Sequence, residues 1–245
     1  MLNSKISKEL KLQHNPVAII FTDELPEKVK ELKSSKESHG CSLSALRDAA
    51  KGETVYLNKE TPGCNGMKAG MGFVDDIKIP GGREYFLSCG RGEGFPEGEK
   101  LKKTPEVAKS YYDGLPKEVM NNEYVIFKPL EGSDEDNISL VTFLVNPDQL
   151  SALITLHAYD TGSTDTAYMP MASGCSTIVK LPLAEMKKDN PRAIIGLADI
   201  WARPLFDGNI LAFTVSYKQY KRMESYANDC FFQAKTWNGV KNRLV

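Results

Sequence analysis

Val17-Ala18-Ile19-Ile20-Phe21 is an unbroken apolar run behind Pro16, the pattern of a strand covered on both faces. Polar and apolar positions before it, from Ser4 to Leu12, alternate with helical spacing. Pro26 opens a lysine-rich stretch whose apolar positions predict an amphipathic helix to Leu32. After the polar segment Ser34–Gly40, Leu43, Leu46 and Ala50 share one side of a predicted helix over Ser42–Ala50, which Gly52 terminates. Val55-Tyr56-Leu57 reads as a short strand. Further on, Tyr124–Phe127 and Ser139–Val145 read as strands separated by the acidic loop Glu131–Asp136. Asn146-Pro147-Asp148 is a strong helix start, followed by Leu150, Leu153, Ile154 and His157 on one face. Ala193–Ile200 and Ile210–Val215 predict two more strands, the second feeding a helix from Tyr217. Strands and helices are interspersed without a regular βαβ rhythm. The expected fold is α+β, a mixed sheet with flanking helices, as one domain with two sub-lobes meeting near residue 122 as an option.

Between Thr61 and Gly98 the pattern breaks down. Ten glycines and three prolines fall in this stretch, with one predicted strand at Glu84–Ser88. So long a loop-rich segment inside a compact domain points to function. Thr104 to Tyr112 then reads as a helix with Thr104 as N-cap and Pro105 in its first turn.

The cysteines give this segment its chemistry. Four of the five have a glycine neighbour: Gly40-Cys41, Gly63-Cys64, Cys89-Gly90 and Gly174-Cys175. Glycine is about 7% of ordinary sequence, so about one cysteine in seven is expected to touch one. A glycine beside a thiol permits positive φ and close approach of a bulky partner, both useful at metal and cofactor sites. Cys41, Cys64 and Cys175 also fall where helices are predicted to begin, where free N–H groups and the helix dipole favour thiolate. Four cysteine ligands suit zinc or an iron–sulfur cluster. The gaps of 23, 25 and 86 residues lack the C-x-x-C knuckles of structural zinc, whereas a wide cluster accepts ligands from separate elements. The expected site is therefore an iron–sulfur cluster, in a 4Fe-4S form, held by Cys41, Cys64, Cys89 and Cys175. Cys230, in the helical-looking stretch Met223–Phe232, reads as a buried structural thiol.

Composition removes several alternatives. Lys plus Arg (31) nearly balance Asp plus Glu (32) without clustering, which argues against nucleic-acid binding. No apolar run is long enough for a membrane span, and Met1–Lys5 lacks a signal core, so a reducing cytoplasm is expected. The expected partners are a small molecule or a redox partner protein, with homo-oligomer formation left open.

Other candidates attach to this centre. Arg91, within Gly90-Arg91-Gly92-Glu93-Gly94, adds positive charge beside Cys89, although this glycine run without a Gly-Lys-Ser/Thr ending reads otherwise as a flexible turn. Asp199, Trp201 and Arg203 alternate in a predicted strand and would share one face, either lining a polar pocket or forming a surface ion pair. Asp199 and Arg203 are therefore cofactor-binding candidates. His157, on an apolar helix face, reads as a core histidine, while His39 lies two residues from Cys41. Two other readings compete with the cluster: a binding or sensing module without chemistry, closing over an organic ligand, and a thiol redox enzyme using Cys64 and Cys89.

The chain resembles the prokaryotic family termed domain of unknown function 169, or uncharacterised ArCR. The resemblance runs through Pro16–Phe21, Cys41-Ser42-Leu43-Ser44-Ala45-Leu46 with Gly52–Tyr56, and Gly63-Cys64-Asn65-Gly66 with Gly70-x-Gly72-Phe73. It continues at Phe143–Pro147, Ser173-Gly174-Cys175, Gly196-x-x-Asp199-x-x-Ala202-Arg203 and on to Met223. The resemblance implies a single-domain cytoplasmic protein of a family common in anaerobes, a setting that suits an oxygen-sensitive cluster. It carries no assigned activity or catalytic residues.

Overall fold

A computed structural model describes residues 4–27, 29–32, 41–117, 120–133 and 137–244. Its centre is one eight-stranded mixed sheet. The strands are β1 (Val17–Thr22), β2 (Lys30–Glu31), β3 (Val55–Asn58), β4 (Tyr124–Pro129), β5 (Ile138–Val145), β6 (Ala167–Tyr168), β7 (Ala193–Gly196) and β8 (Leu211–Ser216). They lie in the order β2-β3-β4-β1-β5-β8-β7-β6. Helices cover both faces, so the fold is α+β as expected.

The unbroken apolar runs follow from this double cover. Along β1, Ala18 and Ile20 enter one core while Val17 and Ile19 enter the other. β5 divides likewise, with Val141, Phe143 and Val145 on one side and Leu140 and Leu144 on the other. The first core is closed by α1 (Lys5–Glu9), α6 (Pro147–His157), α8 (Tyr217–Tyr226) and α9 (Lys235–Lys241). The second lies beneath α2 (Ser42–Ala50), α3 (Asn65–Gly70) and a helical segment over 174–185. That segment contains a π turn, Ser176–Lys180, and then α7 (Leu181–Glu185). Two further helices, α4 (Arg83–Leu87) and α5 (Pro105–Asp113), pack on each other outside the sheet.

Local capping explains the helix starts. Thr104 Oγ1 accepts the Val107 N–H at 3.3 Å, with Pro105 in the first turn. Asn146 and Ser216 form reciprocal capping boxes with Gln149 and Gln219.

The sheet has an internal correspondence. Read from one edge the strands run β2-β3-β4-β1, and from the other β6-β7-β8-β5. In each half the outer pair is parallel and is bridged by a helix: α2 joins β2 to β3, and 174–185 joins β6 to β7. The remaining pairs are antiparallel. Cys41 and Cys175 start these two corresponding helices.

Four expected elements differ. Pro26–Leu32 forms no helix among its described residues, because Lys30 and Glu31 pair in parallel with Val55 and Tyr56 at the sheet edge. Glu84–Ser88 is not a strand but lies in and just past α4, where Arg83 pairs with Asp76 and with Glu84 at 3.1 Å. The strand predicted to Ile200 stops at Gly196, after which Leu197 adopts a φ of 64° and the chain turns. The last long helix ends at Tyr226, leaving Cys230 outside it but buried in the first core.

Two buried polar groups set the acid response. Glu185 is drawn down to about 2: burial alone would raise it, but hydrogen bonds from Arg192 and Lys188 outweigh that effect. His157 is held at about 4, chiefly by burial and then by the Arg222 charge. Its Nε2 accepts from Gln219 Nε2 at 2.8 Å, an amide whose other proton goes to Pro191 O at 2.7 Å. This network assigns the imidazole proton to Nδ1, which has no partner among the described atoms. The histidine is therefore only half satisfied. Because its folded pKa lies below the unfolded 6.5, the unfolded chain takes up the proton first. Its contribution is complete above pH 6.5 and is lost as pH falls towards 4, by about 3 kcal/mol at most. Urea midpoints measured between pH 7 and 4.5 are expected to fall less steeply for His157→Gln than for the parent. Equal slopes would remove His157 as a source of acid lability.

Candidate thiol centre

Three of the predicted cysteines stand at helix starts over the second core. Cys41 is the N-cap residue of α2, with extended backbone (φ −79°, ψ 131°). Cys64 is the N-cap of α3, and its sulfur accepts the Met67 N–H at 3.2 Å. Cys175 lies in the first turn of 174–185, where Ser173 Oγ accepts the Ser176 N–H at 3.3 Å. All five cysteines are free thiols. Cys64 is exposed, Cys41 half-buried and Cys175 buried, so the centre runs inward from the surface.

Glycines permit this convergence. A Cβ on Gly70, at the end of α3, would lie 2.5 Å from Cys175 Cβ and 3.0 Å from the Ser176 nitrogen. A Cβ on Gly174 would fall 2.7 Å from Leu43 Cδ1, so the first turns of the two corresponding helices touch through this glycine. Ser42 Oγ donates to Cys175 Sγ at 3.0 Å across 133 positions of sequence. The nearby Ser44 hydroxyl is buried and has no partner among the described atoms.

The thiols are electrostatically unequal. Cys41 is drawn down to about 7, chiefly by the neighbouring Cys175 thiol and against the effect of burial. Cys175 is pushed in the opposite direction, by the neighbouring Cys41 sulfur and by burial. Desolvation raises Cys64 although its side chain reaches solvent. The expectation that each helix start lowers its cysteine therefore holds only for Cys41. At the other two, burial and neighbouring sulfur outweigh the helix terminus.

Cys89 lies apart from this exchange. It is exposed just after α4, its Sγ meets Gly90 O at 3.3 Å, and none of the three other thiols is shifted by it. Its turn is tightly built, since a Cβ on Gly98 would lie 2.1 Å from the Gly90 nitrogen. Arg91 is exposed and stacks over the Tyr85 ring at 4.4 Å. His39 lies outside the described residues.

Asp199, Trp201 and Arg203 do not share a strand face, because the strand has ended and Arg203 begins a short 3-10 turn. The Asp199 carboxylate accepts the N–H groups of Gly174 and Trp201, each at 3.1 Å, tying its loop to the helix carrying Cys175. Its charge opposes ionisation of Cys41 and contributes to holding Tyr111 at about 12, after burial and Tyr112. Arg203 is occupied by backbone carbonyls: Leu197 and Asp207 at 3.2 Å, Gly208 at 2.7 Å, and Ile210. It clamps the loop below Asp199.

A family model for uncharacterised ArCR proteins, domain of unknown function 169, matches residues 5–226. The chain belongs to this family. No curated protein and no solved structure matches it. The matched span holds Cys41, Cys64, Cys89 and Cys175 and leaves out Cys230. Among the described residues, no helix of this family member is long and apolar enough to cross a membrane. Nor is any group of three or more His, Cys, Asp or Glu residues arranged to hold a metal ion.

Sequence reasoning missed Ser42, Ser173, Gly70 and Tyr111. One signal was available for the first: Gly40-Cys41-Ser42 and Gly174-Cys175-Ser176 are the same triplet.

Proposed function

We propose that this protein carries an iron–sulfur cluster on Cys41, Cys64 and Cys175, serving electron transfer or activation of a small substrate. The observation that supports the reading is the bond from Ser42, next to Cys41, to the Cys175 sulfur at 3.0 Å, which joins corresponding helices of the two sheet halves, with the helix that begins at Cys64 packed on Cys175 through Gly70. The donor set fits the group. Thiolates are the usual ligands of such clusters, and the helix-start amides at Cys41 and Cys64 favour an anionic occupant. Gly70 and Gly174 leave room only for backbone where the helices touch. The sulfurs of a cluster bind different irons, so they need not surround one point as the ligands of a single ion do.

When bound, the cluster would supply one-electron chemistry, and three thiol ligands leave one iron of a four-iron form free for a small ligand. Asp199 acts through backbone, fixing the amides of Gly174 and Trp201 beside the centre. Tyr111 stays protonated, held at about 12 first by burial and then by Tyr112 and the Asp199 charge. Protein purified without oxygen and reconstituted with iron and sulfide is expected to be brown, with about four irons and four sulfides per chain. A colourless, iron-free product would end this reading.

A further inference from the structure

A cavity on the first core takes no part in the thiol centre. It measures about 280 Å³ and lies where α1, the loop after β4 and the start of α8 meet. This is the opposite face of the sheet from the core that holds Cys41 and Cys175. Its apolar wall is Pro16, Leu130 and Ile138, joined by Tyr217 and Tyr220, whose rings stack at 5.9 Å. The Leu130 N–H donates to Pro16 O at 2.8 Å, which ties the loop to the start of β1.

The serines around this cavity are not alike. Ser4 Oγ accepts the Ser7 N–H at 3.1 Å and donates to Glu224 Oε2 at 2.9 Å. Glu224 also accepts the N–H groups of Lys5 and Ile6, so the start of α1 is already satisfied. Ser133 Oγ donates to Pro129 O at 2.7 Å. Ser7 is the exception. It is 1% exposed and lines the cavity, its N–H and C=O are bonded to Ser4 Oγ and the Leu12 N–H, and its hydroxyl has no partner among the described atoms. A buried hydroxyl left unpaired costs stability that an alanine at the same position would not. Size then limits the occupant. An apolar cavity of about 150 Å³ takes up one benzene ring, so 280 Å³ has room for a single ring with a substituent.

We propose that this cavity binds a small molecule made of one aromatic ring with a hydrogen-bonding substituent. The ring lies against the tyrosines and the aliphatic wall, and the substituent pairs with the Ser7 hydroxyl, which can donate or accept. The site is separate from the thiol centre and does not rest on the cluster reading.

The test uses the full-length chain with phenol and toluene as probes, two single rings that differ in the hydrogen-bonding group. Affinities are read by calorimetric titration and by saturation-transfer NMR. Both probes are expected to bind the parent. In Ser7→Ala the affinity of phenol relative to toluene is expected to fall by about 3- to 10-fold, the worth of one net hydrogen bond. Without a probe, Ser7→Ala is expected to match or exceed the parent's thermal midpoint. Leu130→Trp, at a half-buried loop position, fills the cavity and is expected to abolish binding of both probes. If that variant does not fold, the Ser7→Ala comparison still decides the matter. Four results would each overturn the proposal: no binding of either probe, an unchanged phenol-to-toluene ratio in Ser7→Ala, undiminished binding in folded Leu130→Trp, or a lowered midpoint in probe-free Ser7→Ala. The last would show that the hydroxyl already has a partner, such as ordered water.

Discussion

Cys41→Ser and Cys64→Ser proteins are expected to emerge from anaerobic reconstitution almost free of iron and sulfide, while Cys89→Ser retains the full complement. The contrast follows from placement. Cys41 and Cys64 are N-cap residues of helices packed against the segment that carries Cys175, through Leu43 on Gly174 and Gly70 on Cys175. The Cys89 sulfur contacts its own turn. Losing a residue that merely orients a ligand costs about 10–100-fold in metal affinity, and losing a ligand costs more. Serine fits both N-cap positions, so both variants are expected to keep their thermal midpoints, which separates loss of ligation from loss of fold. Equal iron loss in all three variants would return Cys89 to the ligand set. Undiminished iron in Cys64→Ser would remove the three-thiol centre.

The second large effect comes from a residue without a side chain. Gly70→Ala places a methyl group 2.5 Å from Cys175 Cβ and 3.0 Å from the Ser176 nitrogen. Neither is the end of a flexible side chain, so the helix starting at 174 must shift. Overpacking of this kind costs about 1–3 kcal/mol, against at most about 1 kcal/mol gained from helix propensity. The expected result is a thermal midpoint several degrees lower and, because Cys175 moves, reduced iron uptake. Gly66→Ala is the matched control: its added Cβ meets only Cys64 Sγ at 3.7 Å, an ordinary contact. Calorimetry on the two variants reads the difference. A Gly70→Ala protein as stable and as iron-loaded as the parent would show that the close approach of α3 to Cys175 is unimportant.

Much of this centre was legible as local chemistry. The Gly-Cys pairs, the apolar spacing of Leu43, Leu46 and Ala50, and the breakers around them placed helix starts at Cys41 and Cys64, where α2 and α3 begin. The errors fall where local pattern competes with a distant partner. Lys30 and Glu31 leave a helical pattern because Val55 and Tyr56 offer backbone pairing at the sheet edge. Tyr85-Phe86-Leu87 suits a strand by composition, yet forms a helical turn packed on α5. Asp199 looked like part of a strand face because nothing local shows that Leu197 turns the chain. Arg203 looked like a binding group because its carbonyl partners lie in a loop whose path is not written in its neighbours.

Local sequence sets which segments are covered on both faces, where three thiols stand at helix starts, and that glycine is beside each of them. Those are properties of a few adjacent residues, set by side-chain periodicity, backbone freedom and unpaired amides. Packing set what local pattern could not: Ser42 reaches the Cys175 sulfur, Cys89 faces its own turn, and Cys41 is drawn down while Cys175 is pushed up. These depend on strand order and on burial, which bring Ser42 and Cys175 together across 133 positions.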